Sequence, residues 1–342
     1  MRVGLVGAGR WAVAHHLPGI EAHPDGELVA VLDRDEARSE EVARRTGAQA
    51  HSTLDGLLDT VDALVVASPP GVHHAAAAAA LDRGLPVLVE KPMTITAADA
   101  WDLVARAEHA GVPLMVGYTF ELTPSSDRVV DAVHDLGELH LVDGVYASAM
   151  RHLFDGTWPF EAGDPLGVPD PATFADPALS GGGQAPGQLT HLVASALRAT
   201  GEAARSVAAM FRPDGAAVDL HDALTVDLGG AVATFASSCA LPSGHPPLWE
   251  LRYIGARGTV VHDLATGAGT VRRADAEPIE IPALPPAERY PSRIVVQRFL
   301  DVVLGRAECP SPGGLGAEVV ALLEAAQRSA AAGGAPQAVA RP

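Results

Sequence analysis

The stretch RVGLVGAGRWA, residues 2–12, begins with apolar residues typical of a buried strand and then breaks into glycines ahead of a helix-like segment. Gly7, Gly9 and Ala12 fit the spacing G-x-G-x-x-G/A. The first glycine permits a tight turn, the second lets the backbone approach a pyrophosphate, and the alanine lets the helix pack closely. Because the pattern follows a strand and opens a helix, it favours dinucleotide binding over a plain glycine turn.

The strand–helix unit is repeated along the first third of the chain. Strand-like runs occupy residues 27–35, 62–70, 86–92 and 112–118, and helix-like segments occupy residues 11–24, 35–47, 71–84 and 98–111. Strands that are apolar on both faces and alternate with helices predict a parallel, doubly wound α/β sheet, that is, a Rossmann domain. We place this NAD(P)-binding domain at residues 1–120.

The pattern changes after about Tyr118. The later segments are a helix at 123–137, a long alternating strand at 138–150, an irregular passage at 155–183, further alternating strands from about 206, and helices near 291–304 and 314–331. Strands with one apolar and one polar face indicate an antiparallel sheet with one face in water. We therefore predict a second, α+β domain at residues 121–342, with an open, mostly antiparallel sheet, that binds the substrate.

The composition narrows the class of protein. Of the 342 residues, 48% are hydrophobic, which is enough for the cores of two domains. A formal charge of −18 argues against nucleic acid or an anionic membrane surface as a partner. Cys239 and Cys309 lack metal-ligand spacing, so no metal is expected. With no membrane-spanning apolar run and a first strand that starts at Arg2, we expect a soluble cytoplasmic protein.

The second predicted strand ends in a carboxylate, Asp33, at about the distance from the glycine turn where Rossmann domains bind the adenosine ribose. Asp33 would repel a 2′-phosphate, so NAD is the expected cofactor and NADP the less favoured one. Arg34 could stack on adenine or, less favourably, accommodate a phosphate. Alternatively, Asp33 is the N-cap of the following helix, a role that is compatible with cofactor binding.

The stretch LVEKPMT, residues 88–94, contains Lys91, the only lysine among the 24 basic residues of the chain. Lysine is a compact cation whose pKa can fall toward neutrality, whereas arginine is wide, planar and permanently charged. Since surface positions rarely discriminate between the two cations, the retention of Lys91 favours a functional role over chance survival. Pro92 after it predicts a rigid turn, either cis or trans.

Ligands of doubly wound sheets bind outside the carboxyl ends of the strands. The predicted strand ends carry Ser68, Pro69, Pro70 and His73 after strand three, Glu90 and Lys91 after strand four, and Gly117 and Tyr118 after strand five. These segments should line one crevice together with the glycine turn.

At this point the chain resembles the Gfo/Idh/MocA oxidoreductases, a family that includes glucose–fructose oxidoreductase and inositol dehydrogenases. The resemblance covers nearly the whole chain and rests on GAGRWA, SPPGVHH, EKP, GY, SGGG and a downstream histidine. It implies an NAD(P)-dependent dehydrogenase or reductase that acts on a ring carbon of a sugar, glycoside or cyclitol. It also implies that Lys91 lies between the nicotinamide and the substrate.

The motifs and the resemblance together give two sets of candidate site residues. Those expected at the cofactor are Gly7, Gly9, Arg10, Trp11, Ala12, Asp33, Arg34, Ser68, Pro69, Pro70, His73, Glu90 and Lys91. Those expected at the substrate are Lys91, Tyr118, Arg151, Trp158, Gln184, Gln188 and His191. Trp158, with its neighbour Phe160, would form an apolar wall against a sugar ring, or else the two aromatics anchor their loop.

The segment QAPGQLTHLVASALRAT, residues 184–200, predicts a helix that contributes to the site. Gln184, Gln188 and His191 fall at i, i+4 and i+7. If the helix starts near Gln184, all three side chains share one side, and if it starts at Pro186 the last two still do.

The family typically has an aspartate four residues before the histidine, whereas this chain has Gly187 there. The resemblance implies that His191 is the acid/base residue for the hydroxyl whose carbon gives up hydride, and a group that titrates near neutral pH suits that role. A glutamine would then replace the aspartate as a neutral substrate ligand. Alternatively, His191 is a satisfied interface histidine on an apolar helix.

Two other functions fit the same scaffold. A non-catalytic sensor that binds NAD(P) and a sugar would need neither Lys91 nor His191. An enzyme that uses NAD transiently, oxidising a ring carbon so that a glycosidic bond can be eliminated, would form no net NADH. Because an open sheet with a solvent-facing side often pairs with a second copy, a homodimer or homotetramer is expected.

Overall fold

The computed structural model of the protein describes residues 1–157 and 165–342. Its first part contains a parallel sheet in the order β3-β2-β1-β4-β5-β6. The strands are β1 Arg2–Val6, β2 Glu27–Leu32, β3 Gln49–Ala50, β4 Ala63–Val66, β5 Val87–Val89 and β6 Leu114–Val116. The helices are α1 Leu17–Glu21, α2 Glu36–Thr46, α3 Leu54–Leu58, α4 His73–Leu81 and α5 Ala97–Ala110. The predicted doubly wound α/β domain is confirmed.

Local sequence signals account for most of these boundaries. The Asp35 side chain caps α2 by accepting a hydrogen bond from the backbone N–H of Ala37, and Gly47 ends this helix in the left-handed conformation, with φ of 81°. Asp35, and not Asp33, is therefore the N-cap, so the capping alternative for Asp33 is wrong. Strand β3 was missed because two residues are too few to show a period.

The helix predicted at residues 11–24 is interrupted. It begins as a π-helical turn over Ala12–His16 and continues as the short α1, which ends at Glu21. A π turn admits one extra residue, and such turns occur frequently at functional sites. Here the extra residue changes which side chains point toward the carboxyl ends of the strands.

The second part is α+β, as predicted. The helices are α6 Pro124–His134, α7 Arg151–Phe154, α8 Ala172–Ala175, α9 Pro177–Ser180, α10 Thr190–Thr200, α11 Ile294–Val303 and α12 Gly313–Ala331. The strands are β7 Leu139–Ala147, β8 Ser206–Arg212, β9 His221–Asp227, β10 Val232–Ser238, β11 Leu248–Gly255, β12 Gly258–Asp263, β13 Ala268–Arg273, β14 Ile279–Ile281 and β15 Gln337–Ala338.

These strands form one sheet in the order β14-β13-β12-β11-β7-β10-β9-β8-β15. All neighbouring pairs are antiparallel except β7 and β10, which are parallel. Buried and exposed residues alternate along β9, as expected for a sheet with one face in water. The edge strand β15 lies in the tail, where no strand was predicted.

Helix α10 packs on the covered face of the second sheet, against β7, and also contacts α6 and α12. The end of the chain returns to the first sheet. Ser311 accepts a hydrogen bond from the backbone N–H of Val116 through its carbonyl (2.9 Å) and donates its hydroxyl to the Val116 carbonyl (2.6 Å).

The division of the chain into two domains at residue 120 stays a proposal. No helix within the described ranges is both long and apolar enough to cross a bilayer.

Candidate active site

The glycine turn after β1 fits a dinucleotide. Gly7 has φ of 96°, and a Cβ there would lie 2.4 Å from the backbone nitrogen of Ser68, so only glycine is accommodated. A Cβ at Gly9 would meet no atom within 4 Å, which leaves its backbone open to a phosphate. Ala12 is completely buried under the turn, as its predicted packing role requires. Arg10 lies partly buried in the same turn.

At the adenosine end, the two oxygens of Asp33 accept hydrogen bonds from the backbone N–H groups of Ala8 (2.7 Å) and Asp35 (2.9 Å). These bonds fix the carboxylate at the end of β2 and leave it lone pairs for a ribose diol. Arg34 forms an exposed ion pair with Asp170 of the second part of the chain. In this conformation the guanidinium of Arg34 is held by a carboxylate and does not take the stacking position that was predicted for it.

The carboxylate of Glu90 lies buried at the end of β5 and joins three segments. One oxygen accepts hydrogen bonds from Trp11 Nε1 and His16 Nε2, both at 2.8 Å, and the other accepts from the backbone N–H of Lys91 at 3.2 Å. Burial acts to raise the pKa of Glu90, but the bonds from His16 and Trp11 and the charge of Lys91 outweigh it and lower that pKa. Glu90 therefore stays a carboxylate and braces the backbone of Lys91.

The same network explains two further positions. A Cβ at Gly117 would lie 2.8 Å from Glu90 Oε1, so strand β6 passes the carboxylate only because that residue is glycine. Trp11, predicted at the cofactor, directs its only donor at Glu90. His16 was not predicted at the site, and the π turn over Ala12–His16 is what brings its ring there.

Lys91 is half-buried, and its Nζ donates a hydrogen bond of 2.7 Å to the carbonyl oxygen of Gly187. The peptide bond between Lys91 and Pro92 is cis, one of the two states left open by the sequence. Burial lowers the pKa of Lys91, while the nearby charge of Glu90 acts in the opposite direction. An ammonium group has three donors, so two remain for a substrate oxygen.

His73 is fully buried and does not line the crevice, which corrects the prediction for it. Its Nε2 lies 2.6 Å from the carbonyl oxygen of Ser68, and its Nδ1 lies 3.1 Å from that of Pro92 and 3.3 Å from that of Met93. The imidazole therefore ties the end of β4 to the segment after Lys91. Burial lowers the pKa of His73.

Ser68, Pro69 and Pro70 lie where they were predicted, at the carboxyl end of β4. Pro69 is extended, and Pro70 starts a 3₁₀ turn that leads into α4. The Ser68 hydroxyl is buried and has no hydrogen-bond partner in the described part of the chain. These three residues remain candidates for contact with the cofactor.

His191 lies in the first turn of α10, and its ring is enclosed by aromatic rings. The ring centroids of Phe120 (5.4 Å), Tyr118 (6.2 Å) and Tyr290 (6.3 Å) face it edge-on, while Tyr146 stacks beside it at 6.3 Å. Burial, and secondly the positive charge of Lys91, lower the pKa of His191 well below its usual value of 6.5. The imidazole is therefore neutral at pH 7 and can accept a proton.

The comparisons with known proteins start from the same glycine turn and lysine segment. Residues 1–118 match the family model described as "Oxidoreductase family, NAD-binding Rossmann fold", GFO_IDH_MocA. Residues 1–118 thus match the NAD-binding Rossmann part of the Gfo/Idh/MocA oxidoreductases. The predicted resemblance is confirmed.

Among curated relatives, the chain is 39% identical over 150 residues to a dTDP-3,4-didehydro-2,6-dideoxy-alpha-D-glucose 3-reductase of Streptomyces antibioticus, an alignment that covers 43% of this chain and 46% of that one. It is 36% identical over 169 residues to inositol 2-dehydrogenase 1 of Saccharopolyspora erythraea, covering 47% and 50%. The chain thus spans about half the length of the curated relatives it matches.

A solved structure, GenD2 from gentamicin A biosynthesis in complex with NAD, is 28% identical, with a TM-score of 0.80 over 100% of this chain and 97% of that one. The likeness in fold therefore extends through both parts of the chain, beyond the residues matched by the family model.

The departure from the family motif lies in a second π turn. Ala185–Leu189 is π-helical and leads directly into α10. Gly187, where the resemblance implied an aspartate, lies in this turn, and a Cβ there would meet only the Phe154 ring, at 3.5 Å. The turn directs the Gly187 carbonyl at Lys91. The oxygen that Lys91 Nζ contacts in this turn is thus a backbone carbonyl.

The π turn also affects where the side chains of Gln184 and Gln188 lie. Gln184 is fully buried, and neither atom of its side-chain amide has a hydrogen-bond partner within the described ranges. With an extra residue in the turn, the spacing i, i+4, i+7 no longer places the three predicted side chains on one face of a regular helix. Gln188 is partly buried and accepts a hydrogen bond from the Tyr146 hydroxyl at 3.3 Å.

Three other substrate predictions have different outcomes. Tyr118 is fully buried, its hydroxyl lies 3.2 Å from Thr190 Oγ1, and its ring packs edge-on against His191. Arg151 is exposed and forms an ion pair of 3.1 Å with Asp155, so its guanidinium is held by a carboxylate in this conformation. Trp158, with Phe160, lies outside the described residues.

The sequence did not single out the aromatic rings around His191. Tyr146 on β7 stacks on Trp249 of the neighbouring strand β11, with centroids 5.0 Å apart and planes 12° apart. Alternation along the strands predicts that such residues are buried, but only the pairing of β7 with β11 places them under α10. Within residues 1–157 and 165–342, no group of three or more histidines, cysteines or carboxylates is placed to hold a metal ion.

Proposed function

We propose that the protein is an NAD-dependent dehydrogenase or reductase that transfers hydride to or from a ring carbon of a sugar, glycoside or cyclitol. The observation that carries this proposal is the hydrogen bond of 2.7 Å from Lys91 Nζ to Gly187, which joins the end of β5 to the turn that leads to His191. A small cation, Lys91, and a neutral imidazole, His191, thus belong to two segments that this hydrogen bond joins, which supports the proposal. The relatives named above, a sugar reductase and an inositol dehydrogenase, support the substrate class.

Each residue has one task in the proposed reaction. Lys91 donates a hydrogen bond to the reacting oxygen and stabilises the negative charge that develops on it. His191, which is neutral, accepts the hydroxyl proton during oxidation and returns it during reduction. Glu90 keeps the Lys91 backbone in place, and the aromatic rings around His191 exclude water. The bound cofactor supplies the acceptor or donor of hydride.

Net NADH formation tests the proposal. The protein is incubated with NAD and a panel of sugars, glycosides and cyclitols, and the absorbance of NADH is followed. Formation of NADH in proportion to oxidised product is the expected result. Cleavage of a glycosidic bond without net NADH would favour transient oxidation, and binding of both ligands without any reaction would favour a sensor; either outcome contradicts the proposal.

The expected cofactor preference rests on Asp33. We predict that Asp33→Ala combined with Arg34→Ala weakens NAD binding by about 10- to 100-fold, the loss that corresponds to about 1.5–3 kcal/mol for hydrogen bonds to a charged group. Binding of NADP should change much less, because the carboxylate that repels a 2′-phosphate is gone. Steady-state kinetics with both cofactors measure the ratio.

Arg34→Ala alone is the matched control and should change NAD affinity little, since Arg34 is exposed and paired with Asp170. A wild-type protein that prefers NADP would contradict the assignment of Asp33.

The solvent-facing side of the second sheet is the proposed homo-oligomer interface. Val232, Leu141 and Ile254 lie in register across β10, β7 and β11 on this face. The exposed fractions of Val232 (48%) and Ile254 (38%) are high for apolar residues in the middle of a sheet. A second copy with the same face would bury this row under two-fold symmetry.

We predict that Val232→Glu with Ile254→Glu converts a dimer or tetramer into monomers, because the substitutions place charges in the interface. Sedimentation equilibrium measures the mass. Thr234→Glu would be a weaker version of the same test, and Leu304→Glu, at an exposed apolar position outside this sheet, serves as a control for added charge. A monomeric wild-type protein would overturn this part of the proposal.

A further inference from the structure

A buried carboxylate from the loop between β8 and β9 holds the turn that precedes α10. Asp219 is 9% exposed, and its two carboxylate oxygens accept hydrogen bonds from the backbone N–H groups of Gly183 and Ala185, both at 2.7 Å. Its main-chain carbonyl accepts from the N–H of Gln184 at 2.8 Å. Asp219 thus accepts hydrogen bonds from three consecutive backbone N–H groups, those of residues 183–185.

The glycines of this loop are required by the closeness of that contact. A Cβ at Gly183 would lie 2.0 Å from the Asp219 carbonyl oxygen, and one at Gly182 would lie 3.1 Å from its Oδ1 and 2.8 Å from Gln327 Nε2. From the other side, Gln327 Nε2 donates a hydrogen bond of 2.6 Å to the carbonyl of Gly181. The loop is therefore clamped between Asp219 and Gln327.

The clamp is connected to the catalytic lysine by a short run of hydrogen bonds. The Gly183 carbonyl accepts a hydrogen bond from the N–H of Gly187 at 2.9 Å, and the Gly187 carbonyl accepts from Lys91 Nζ at 2.7 Å. Any shift of the loop at Gly183 is thus passed to the oxygen that orients the ammonium group.

The residues before and after Asp219 in the chain are buried in an apolar cluster. Val218 and Leu220 belong to a small apolar cluster with Phe154 and Cys239. The Phe154 ring in turn lies 3.5 Å from the position that a Cβ of Gly187 would occupy. The residues on both sides of Asp219 are therefore held by an apolar cluster, and this cluster also contacts the π turn.

We propose that Asp219 is a positioning residue of the active site. It holds residues 183–185 so that the Gly187 carbonyl orients Lys91 Nζ and α10 starts in the register that presents His191. The inference rests on the proposed function of Lys91 and His191, and it assigns to Asp219 a role through them without contact with the substrate.

A second carboxyl group nearby provides a matched control. Asp222 is 5% exposed, like Asp219, and one of its oxygens accepts a hydrogen bond of 2.6 Å from the Ser237 hydroxyl. Asp222 interacts with the carboxylate of Asp219, but the backbone N–H groups of Gly183, Gln184 and Ala185 bond to Asp219 and not to Asp222. Burial and the charge of Asp219 raise the pKa of Asp222 well above its usual value, so a neutral asparagine is a close substitute.

The test compares Asp219→Asn with Asp222→Asn. In Asp219→Asn, one backbone N–H of the loop would face an amide NH₂ in place of an acceptor. We expect kcat to fall by about 10- to 100-fold, as for a misplacement near 1 Å, while the KM for NAD stays within about threefold. Amide hydrogen exchange of residues 183–189 should become faster. Asp222→Asn should keep kcat within about twofold and leave that exchange unchanged.

A second variant keeps the test decisive if Asp219→Asn does not fold. Gln327→Met removes the other side of the clamp and should show the same faster exchange with a smaller loss of kcat. If wild-type protein turns over no sugar, the proposed function fails, and exchange in residues 183–189 alone then decides whether Asp219 holds the loop. Unchanged kcat and exchange in Asp219→Asn, or equal losses in Asp222→Asn, would overturn the inference.

Discussion

Replacement of Lys91 by arginine is expected to abolish most turnover while the protein folds and binds NAD within a few-fold of wild type. Arginine keeps the positive charge but widens the head group and fixes its protonation. Lys91 Nζ already lies 2.7 Å from the Gly187 carbonyl, so a guanidinium has no room to form the same contact and also reach a substrate oxygen. A misplacement near 1 Å costs on the order of a hundredfold in rate.

Isothermal titration with NAD measures the affinity for the cofactor, and a steady-state assay measures the turnover. Lys91→Ala should behave similarly, because it removes the donor to the substrate oxygen without disturbing the glycine turn. The reverse exchange at a surface ion pair, Arg83→Lys beside Asp55, is the control and should leave turnover unchanged. Normal turnover in the arginine variant would mean that retention of the only lysine was accidental.

For His191→Asn, we expect turnover to fall by roughly two to four orders of magnitude, the range for loss of a positioned acid/base residue. Cofactor affinity should barely change, because His191 belongs to α10 and not to the glycine turn. The wild-type pH profile carries a further expectation. Since the pKa of His191 is lowered, the neutral base persists through pH 6.5, and kcat for oxidation should decline only well below that pH.

The acidic limb of the profile should disappear in the His191→Asn variant. His245→Asn, at an exposed loop position, controls for loss of an imidazole and should retain both the rate and the profile. Unaltered turnover with a normal pH profile in the His191 variant would return this residue to a packing role among the aromatic rings.

The sequence was sufficient for the features that depend on local backbone chemistry. Gly7 adopts positive φ at the tight turn where glycine was expected, and Gly47 does so at the end of the helix-like segment 35–47. The strand before Lys91 and the dinucleotide turn were predictable because apolar runs and glycine spacing are properties of neighbouring residues. The division of the chain into a parallel and a mostly antiparallel sheet followed from the same periods.

The site was harder to predict where it depends on π turns. A period of 3.6 residues places Gln184 beside His191, but the turn over Ala185–Leu189 contains an extra residue, and Gln184 is buried. The corresponding turn after Gly9 brings His16 to Glu90 and takes the Trp11 donor away from the cofactor. No residue type marks such a turn in the sequence.

Contacts between distant segments were the other limit. Asp219 lies 36 residues from Gly183, and nothing in the loop between β8 and β9 indicates that its carboxylate caps a glycine-rich turn. Arg151 forms a surface ion pair with Asp155, and Arg34 forms one with Asp170. These carboxylates compete with any ligand for the two guanidinium groups. A single sequence shows that such residues are charged but not which partner they reach.

A crystal structure with NAD and a sugar from the reactive panel tests the central claim most directly. We predict that the pyrophosphate lies over Gly9 and that one ring hydroxyl lies within about 3 Å of Lys91 Nζ and within reach of His191. The carbon that bears this hydroxyl should face the nicotinamide. A dinucleotide bound away from Gly9, or a sugar with every hydroxyl beyond hydrogen-bond reach of both Lys91 and His191, would contradict it.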